Sequence, residues 1–437
     1  MVRCLKSGDG IFESRGMAMK RRLAGALLAG LSVVAAGARA SEPGHYLFAW
    51  AGDTAHRGED FIAVIDADPD SPGYGKLIAS AASGIRTHQV HHTEYWMPER
   101  GLLFANDHKS GRTVVIDLRE PSHPHVHAAF GDLGGFSHPH SFLRLPNGHV
   151  LASFQVEGHM QHDSDEAIER GATKVMPMTD VAAQPGVHGG LVEIDDEGRA
   201  VRSMSTADPS RPGDLLMAYS LLPLPDIDRV IVTNSSMRDQ DRAGHTYQIF
   251  RLSDLKLLST NDFDAPPGHY GEINPEEARR GPDGAVYVQT TGCGIERVTE
   301  VASEHPRSKL VWQFPGSFCG VPTIVGHYLI QTVPLLHGVV VLDIKDGGQP
   351  VEIARVGLDG AIWPHWTGYD AKTHRLAVSG YDEDRLFMLT FNPQTGALAV
   401  DRTFHDDKGN PGFDFDDRTW PHGWTGSAIA HGVVFSR

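Results

Sequence analysis

The chain repeats one pattern along most of its length. Four short runs rich in β-branched and aromatic residues, separated by Gly, Pro, Asn and Asp, recur over roughly 40 to 50 residues. One unit reads "HHTEYWM", "GLLFANDH", "RTVVIDL", "HVHAAFGD"; another reads "GVPTIVG", "HYLIQTV", "GVVVLDI", "PVEIARVG". Such a unit cannot bury both faces of its own sheet, so neighbours must stack, and a ring disposes of exposed sheet edges. The first unit, from His45, supplies only three runs, and the tail "HGWTGSAIAHGVVFSR" is left over. Pairing of that tail with the N-terminal strands would close the ring. The expectation is an all-β fold, a β-propeller of seven four-stranded blades, with eight if the tail builds a blade of its own. No stretch sustains helical periodicity, which argues against a parallel α/β fold.

The N-terminus follows other rules. Lys20, Arg21 and Arg22 precede an apolar run from Leu23 to Ala36, and Ala38-Arg39-Ala40 is a small-x-small cleavage pattern. Residues 17–40 therefore read as a signal peptide, residues 1–16 as a start-site artefact, and Ser41 as the first residue of an exported, periplasmic or secreted chain. The apolar run is too short for a membrane anchor. The domain expected from 41 to 437 is a single propeller with a polar insertion at 157–188.

The formal charge is −16 at pH 7. The first 40 residues carry seven Lys/Arg and two Asp/Glu, so removing them gives −16 − 5 = −21. Nucleic acid is a poor partner for such a chain, because its binding relies on phosphate neutralisation. Of three cysteines, Cys4 leaves with the leader, and Cys293 and Cys319 can form one disulfide in an oxidising compartment.

Histidine stands out at 25 residues, and the placement matters more than the number. His91/His92, His138/His140, His269, His365 and His422 each come at the start of a repeat unit. In a propeller the first strand of each blade lines the central channel, so these side chains would converge near the axis. The link between second and third strands reaches the same face and adds His108, Cys293 and His337. Converging neutral imidazoles suit copper, zinc or ferrous iron, and the ligand type alone does not choose among them. The candidate ligands are His91, His92, His140, His337, His365 and His422. Adjacent strand residues point to opposite faces, so of His91 and His92 only one, His92, is expected at the axis. Glu94 and Glu272, near strand starts, are candidate proton carriers. Trp96, Trp363, Trp366, Trp420 and Trp424 lie beside the histidines and could wall a small apolar pocket. No P-loop, dinucleotide fingerprint or G-x-S-x-G elbow is present.

Several stretches resemble the selenium-binding protein / methanethiol oxidase family. "HHTEYW" is similar to the family's HHT-x-W stretch, and "HSFLRLPNGHVLASFQ" with "GGLVEIDDEGRAVRS" to its S-H-C-L…G-x-V-M-I-S and G-G-F-V-L-L-D segments. "AYSLLPLPDIDRVIVTNSSM" resembles a Y-D-F-x-Y-Q-P…V-M-I-S-T run. "IQTVPLLHGVVVLDIKDGGQPVEIARVGLDG" resembles a W-L-H-G-D…Y-D-I-S-D-P segment, and "WPHGW" falls where the family has A-H-E. The likeness spreads over most of the chain in short motifs. It implies a copper-dependent propeller that oxidises methanethiol with O2 and water to formaldehyde, hydrogen sulfide and hydrogen peroxide. His92, His140, His337 and His422 fall on matching family histidines; His365 does not. The family's C-S-S-C run is absent after "HHTEYWMPERG", so chemistry assigned to those cysteines does not carry over. A non-haem iron oxygenase with a four-histidine propeller site, and a propeller that only binds metal or a partner protein, are the alternatives.

Overall fold

The fold is seen in a computed structural model that describes residues 44–158, 186–237, 243–264, 273–360 and 362–437. Seven four-stranded antiparallel blades surround a common axis, and two single turns of 3-10 helix lie among these residues. Blade 2 is typical. Its strands run outward from the axis as Val90–Thr93, Leu102–Asp107, Arg112–Asp117 and His125–Phe130. The innermost strands of blades 3 to 7 are Phe136–Arg144, Ala218–Leu224, Pro275–Arg280, Thr323–Val325 and Pro364–Asp370.

Blade 1 is assembled from both ends of the chain. Strands Tyr46–Asp53, Glu59–Asp66 and Leu77–Arg86 form its outer three layers, and the C-terminal strand Ala428–Phe435 is the innermost. That strand runs antiparallel to the first, with Leu47 opposite Phe435 and Ala51 opposite Ala430. The tail thus completes blade 1, which sets the number at seven. A hydrogen-bond chain, buried at its His45–Asp370 link, locks the seam. His45 Nε2 lies 2.8 Å from Asp370 Oδ2 in blade 7, Ser436 Oγ lies 3.1 Å from His45 Nδ1, and the Tyr46 amide donates to Ser436 Oγ at 3.0 Å.

The burial pattern explains the composition of each run. Second and third strands are covered by a blade on each side, so they read as continuous apolar stretches such as "LLFAND" and "GVVVLD", buried almost throughout. Outermost strands meet water and alternate, as in Val351–Gly357. Between blades 2 and 3 the filling includes Phe104, Phe130, Phe142 and Phe154, each worth roughly 1.5–3 kcal/mol on burial. Trp50 and Trp366, both fully buried, span blade boundaries by donating to Asn106 O at 2.9 Å and Val433 O at 3.1 Å. Hairpins turn on glycine where φ is positive, as at Gly148 in "LPNGH" (φ 88°) and Gly284 in "GPDGA" (φ 79°). Cys293 and Cys319 form a disulfide that ties blade 5 to the entrance of blade 6. Most of the insertion expected at 157–188 lies outside the described residues. Among the described residues, no helix is long and apolar enough to cross a membrane.

Candidate metal centre

The inner strands share an irregularity that builds the site. In blade 2, Val90 pairs with Asp107 but Thr93 with Ala105, so three steps on the inner strand match two on its neighbour. The same shift falls between Pro139 and Phe142, Ala218 and Leu221, and Pro275 and Ala278, and in the closing strand between Val433 and Ala430. In blade 7 it falls between Pro364 and Trp366. Each bulge re-aims side chains that a regular pleat would send to opposite faces. The residues inside these bulges are His91 and His92, His140 and Ser141, Tyr219 and Ser220, Glu276 and Glu277, His365, and His431 and Gly432.

The bulge corrects the expectation that only one of His91 and His92 reaches the axis. Both are buried, and their rings stack at 4.2 Å between centroids, 26° apart. His140 joins them, with its ring 4.9 Å from that of His91 and 4.3 Å from that of His92. One ligand atom from each of the three lies within 4.8 Å of the others. The nearest pair, His91 Nε2 and His140 Nε2, are 3.0 Å apart. His140 Nδ1 lies 2.9 Å from the Tyr219 carbonyl. A carbonyl only accepts, so Nδ1 carries the proton and Nε2 presents a lone pair to His91, the usual arrangement behind a metal-bound imidazole. His91 Nδ1 and both nitrogens of His92 have no hydrogen-bond partner. Burial, and then the neighbouring imidazoles, push the affinity of His91 and His92 for a proton well below the ordinary histidine value. Burial does the same for His140. Three buried neutral imidazoles grouped this closely, with ring nitrogens left unsatisfied on His91 and His92, fit an imidazole-binding cation.

More histidines surround this triad. The His431 ring lies 4.6 Å from that of His91 and 5.7 Å from that of His92. His365 lies 4.6 Å from His431. His108 lies 5.1 Å from His91, and its Nε2 is held by Gln155 Oε1 at 2.7 Å. His431 is not among the candidates that the repeat spacing selects. It sits in the tail strand, which takes the inner position that the start of a repeat unit holds elsewhere.

The other candidates are placed differently. His337 is exposed, caps a 3-10 turn at φ 46° and meets the Ile362 carbonyl through Nδ1 at 2.9 Å. His422 lies at the outermost strand of blade 1, with Nδ1 2.6 Å from Ser80 Oγ and its ring against Phe61 and Trp424. Neither is brought to the triad. Both oxygens of Glu94 are engaged, by the Arg144 guanidinium at 2.9 and 2.7 Å and by the Phe104 amide at 3.2 Å, which makes it a brace between blades 2 and 3. Glu272 and His269 lie outside the described residues. Of the tryptophans, Trp366 packs on His92 at 5.0 Å, while Trp420 and Trp424 pack on Phe61 at 4.5 and 5.8 Å.

A cavity of ≈ 30 Å³ opens onto the cluster, lined by His91, Tyr219, Phe318, Trp363, His365 and Tyr381 among others. That volume holds one or two water-sized molecules. Trp363 is 40% exposed and stands at its rim. A larger groove of ≈ 520 Å³, around Trp96, Arg100 and Arg437, has no histidine in its wall.

No family profile and no curated protein matches the chain. Solved structures resemble it in fold. A hypothetical selenium-binding protein from Sulfolobus tokodaii superposes with TM-score 0.66 at 16% identity, over 91% of this chain and 94% of that one. The periplasmic gluconolactonase of Pseudomonas aeruginosa gives TM-score 0.58 at 12% identity, over 90% of this chain and 99% of that one. A putative 6-phosphogluconolactonase from Bacteroides fragilis gives 0.58 at 10% identity, over 91% and 100%. At these identities the likeness extends to the propeller fold alone.

Proposed function

We propose that the chain is an exported, metal-dependent oxidase of a small thiol such as methanethiol, with copper as the metal. The observation that carries the reading is the buried imidazole triad His91, His92 and His140, in which one ligand atom of each residue lies within 4.8 Å of the others. Bound copper would supply a redox-active Lewis acid for thiolate and O2. The overall reaction balances: methanethiol, O2 and water, one molecule of each, give one each of formaldehyde, hydrogen sulfide and hydrogen peroxide. His91, His92 and His140 would hold the metal, and the cavity under Trp363, Phe318 and Tyr381 would admit a substrate of one or two heavy atoms while excluding larger ones. The resemblance of "HHTEYW" and the other motifs to methanethiol oxidases supports this substrate class, and the selenium-binding-protein neighbour shares the propeller fold. The all-imidazole donor set suits iron as well as copper, so a non-haem iron oxygenase is the second reading.

The test is to purify the chain from Ser41, without a metal-affinity tag, after periplasmic expression, and to measure bound metals by mass spectrometry. Near-stoichiometric copper that is lost in a His91→Ala, His140→Ala variant, with thiol-dependent O2 uptake and peroxide release, is the expected result. Iron in place of copper selects the oxygenase. A metal-free, properly folded wild-type protein overturns the proposal.

A further inference from the structure

Glu277 lies in the bulge of the blade 5 inner strand and is 1% exposed. One of its oxygens is saturated. Oε2 accepts from the Tyr95 hydroxyl, from Ser220 Oγ at 3.0 Å and from Arg279 Nη1 at 3.2 Å. Arg279 is itself fixed, because its guanidinium lies 3.8 Å over the Tyr95 ring and donates to Ala278 O at 2.8 Å and Pro322 O at 2.9 Å. Residues of blades 2, 4 and 5 therefore hold this carboxylate rigidly. The other oxygen is the unusual one. Oε1 is buried, has no hydrogen-bond partner and faces His92 Nδ1 at 3.9 Å. His92 Nδ1 also has none. A buried acceptor and a buried ring nitrogen, each unsatisfied, face one another about 1 Å beyond hydrogen-bond distance, and leaving them so is costly.

We propose that Glu277 is the positioning residue for His92: Oε1 accepts the Nδ1 proton and so leaves Nε2 as the lone-pair nitrogen turned to the triad. The Tyr219 carbonyl does the same for His140, so two of three ligands would be set by partners outside the triad. The role of His92 as a ligand rests on the metal-site reading above; the tautomer does not. A rigid anion behind one imidazole also raises its basicity and offsets the charge of a cation held by three neutral rings.

The experiment has two readouts. In metal-free protein labelled with 15N-histidine, the ring nitrogens of His92, identified by their absence in His92→Gln, should report the Nδ1–H tautomer. Copper(II) and zinc(II) affinities are then measured by competition titration in wild type, Glu277→Gln, Glu277→Asp and Ser220→Ala. The expected loss is about 10- to 100-fold for both Glu277 variants, the range seen when such outer partners are removed. Ser220→Ala, which touches only the saturated oxygen, should stay within about 3-fold on the same reasoning. A wild-type His92 in the Nε2–H form overturns the proposal even if no variant folds. Unchanged affinity in both Glu277 variants overturns it too. A wild type with the Nδ1–H tautomer that binds neither metal leaves Glu277 in its role and instead removes the metal reading.

Discussion

Glu296 provides a quantitative test of how the blades bury charge. It lies in the third strand of blade 5, between Val288 and Leu310, and is 3% exposed. Its Oε2 has no hydrogen-bond partner. Burial, with Asp264 adding to it, pushes its carboxyl up to about 8 from an ordinary 4.5. A carboxyl with a raised folded-state value is favoured in its protonated form, so its contribution is fully present below pH 4.5. It is lost progressively up to about pH 8, because there the folded state holds a proton that the unfolded chain has released. The window of about 3.5 units, at about 1.36 kcal/mol each, sets a ceiling of about 5 kcal/mol; water entry around the ionised group lowers this to about 2–3 kcal/mol. Glu296→Gln mimics the protonated form. In urea unfolding, variant and wild type should differ by less than about 1 kcal/mol at about pH 5, and the variant should be more stable by about 2–3 kcal/mol at about pH 9. A difference that stays constant across this range, or that favours the wild type as pH rises, refutes the reasoning.

Two further perturbations probe what ties neighbouring blades together. Ser436→Ala removes the link between the Tyr46 amide and His45, which should cost about 1–2 kcal/mol and be visible as a lower urea midpoint with unchanged slope. Replacing Cys293 and Cys319 together by Ala opens a loop with a sequence separation of 26, for which the chain-entropy relation gives about 3.5 kcal/mol. That variant should unfold earlier in urea, and an unchanged midpoint would show that the two blades dock without the bond.

The fold is legible in the runs because blades are built from local hairpins, and each hairpin carries its own turn chemistry and apolar pattern. "GLLFANDH" and "RTVVIDL" are buried on both faces, as continuous apolar runs of strand length in a repeat of this size require. Blade 5 is harder. Repeat spacing points to "HYGEINP" for its inner strand, whereas the structure places that strand at Pro275–Arg280, "PEEARR". A string of Glu and Arg reads as a turn or surface segment, since charged residues are seldom buried unless paired. Here they are paired, with Glu277 bonded to Arg279 and to the Tyr95 hydroxyl, and the Arg279 guanidinium lying over the Tyr95 ring. The carboxylates of this inner strand are therefore hidden by the polarity that makes them useful there.

The histidines show the same limit in sharper form. Spacing along the chain identifies His91, His92, His140 and His365 because each begins a repeat unit, and the structure brings these four to the axis. The same reasoning selects His422, since "WPHGW" looks like the start of a unit. In the folded chain that segment is only the approach to the closing strand, and the inner-strand position falls further on, at His431. A ring closed by its own tail shifts the phase of the repeat by one strand at the seam, so a residue there must be placed from its pairing partner and not from the preceding turn. Alternation fails for a related reason. At a bulge two neighbours share one face, and the bulges recur on the inner strands, where the ring is narrowest and the pleat must bend. The irregularity that defeats a period-two reading is the device that lets His91 and His92 reach the axis together.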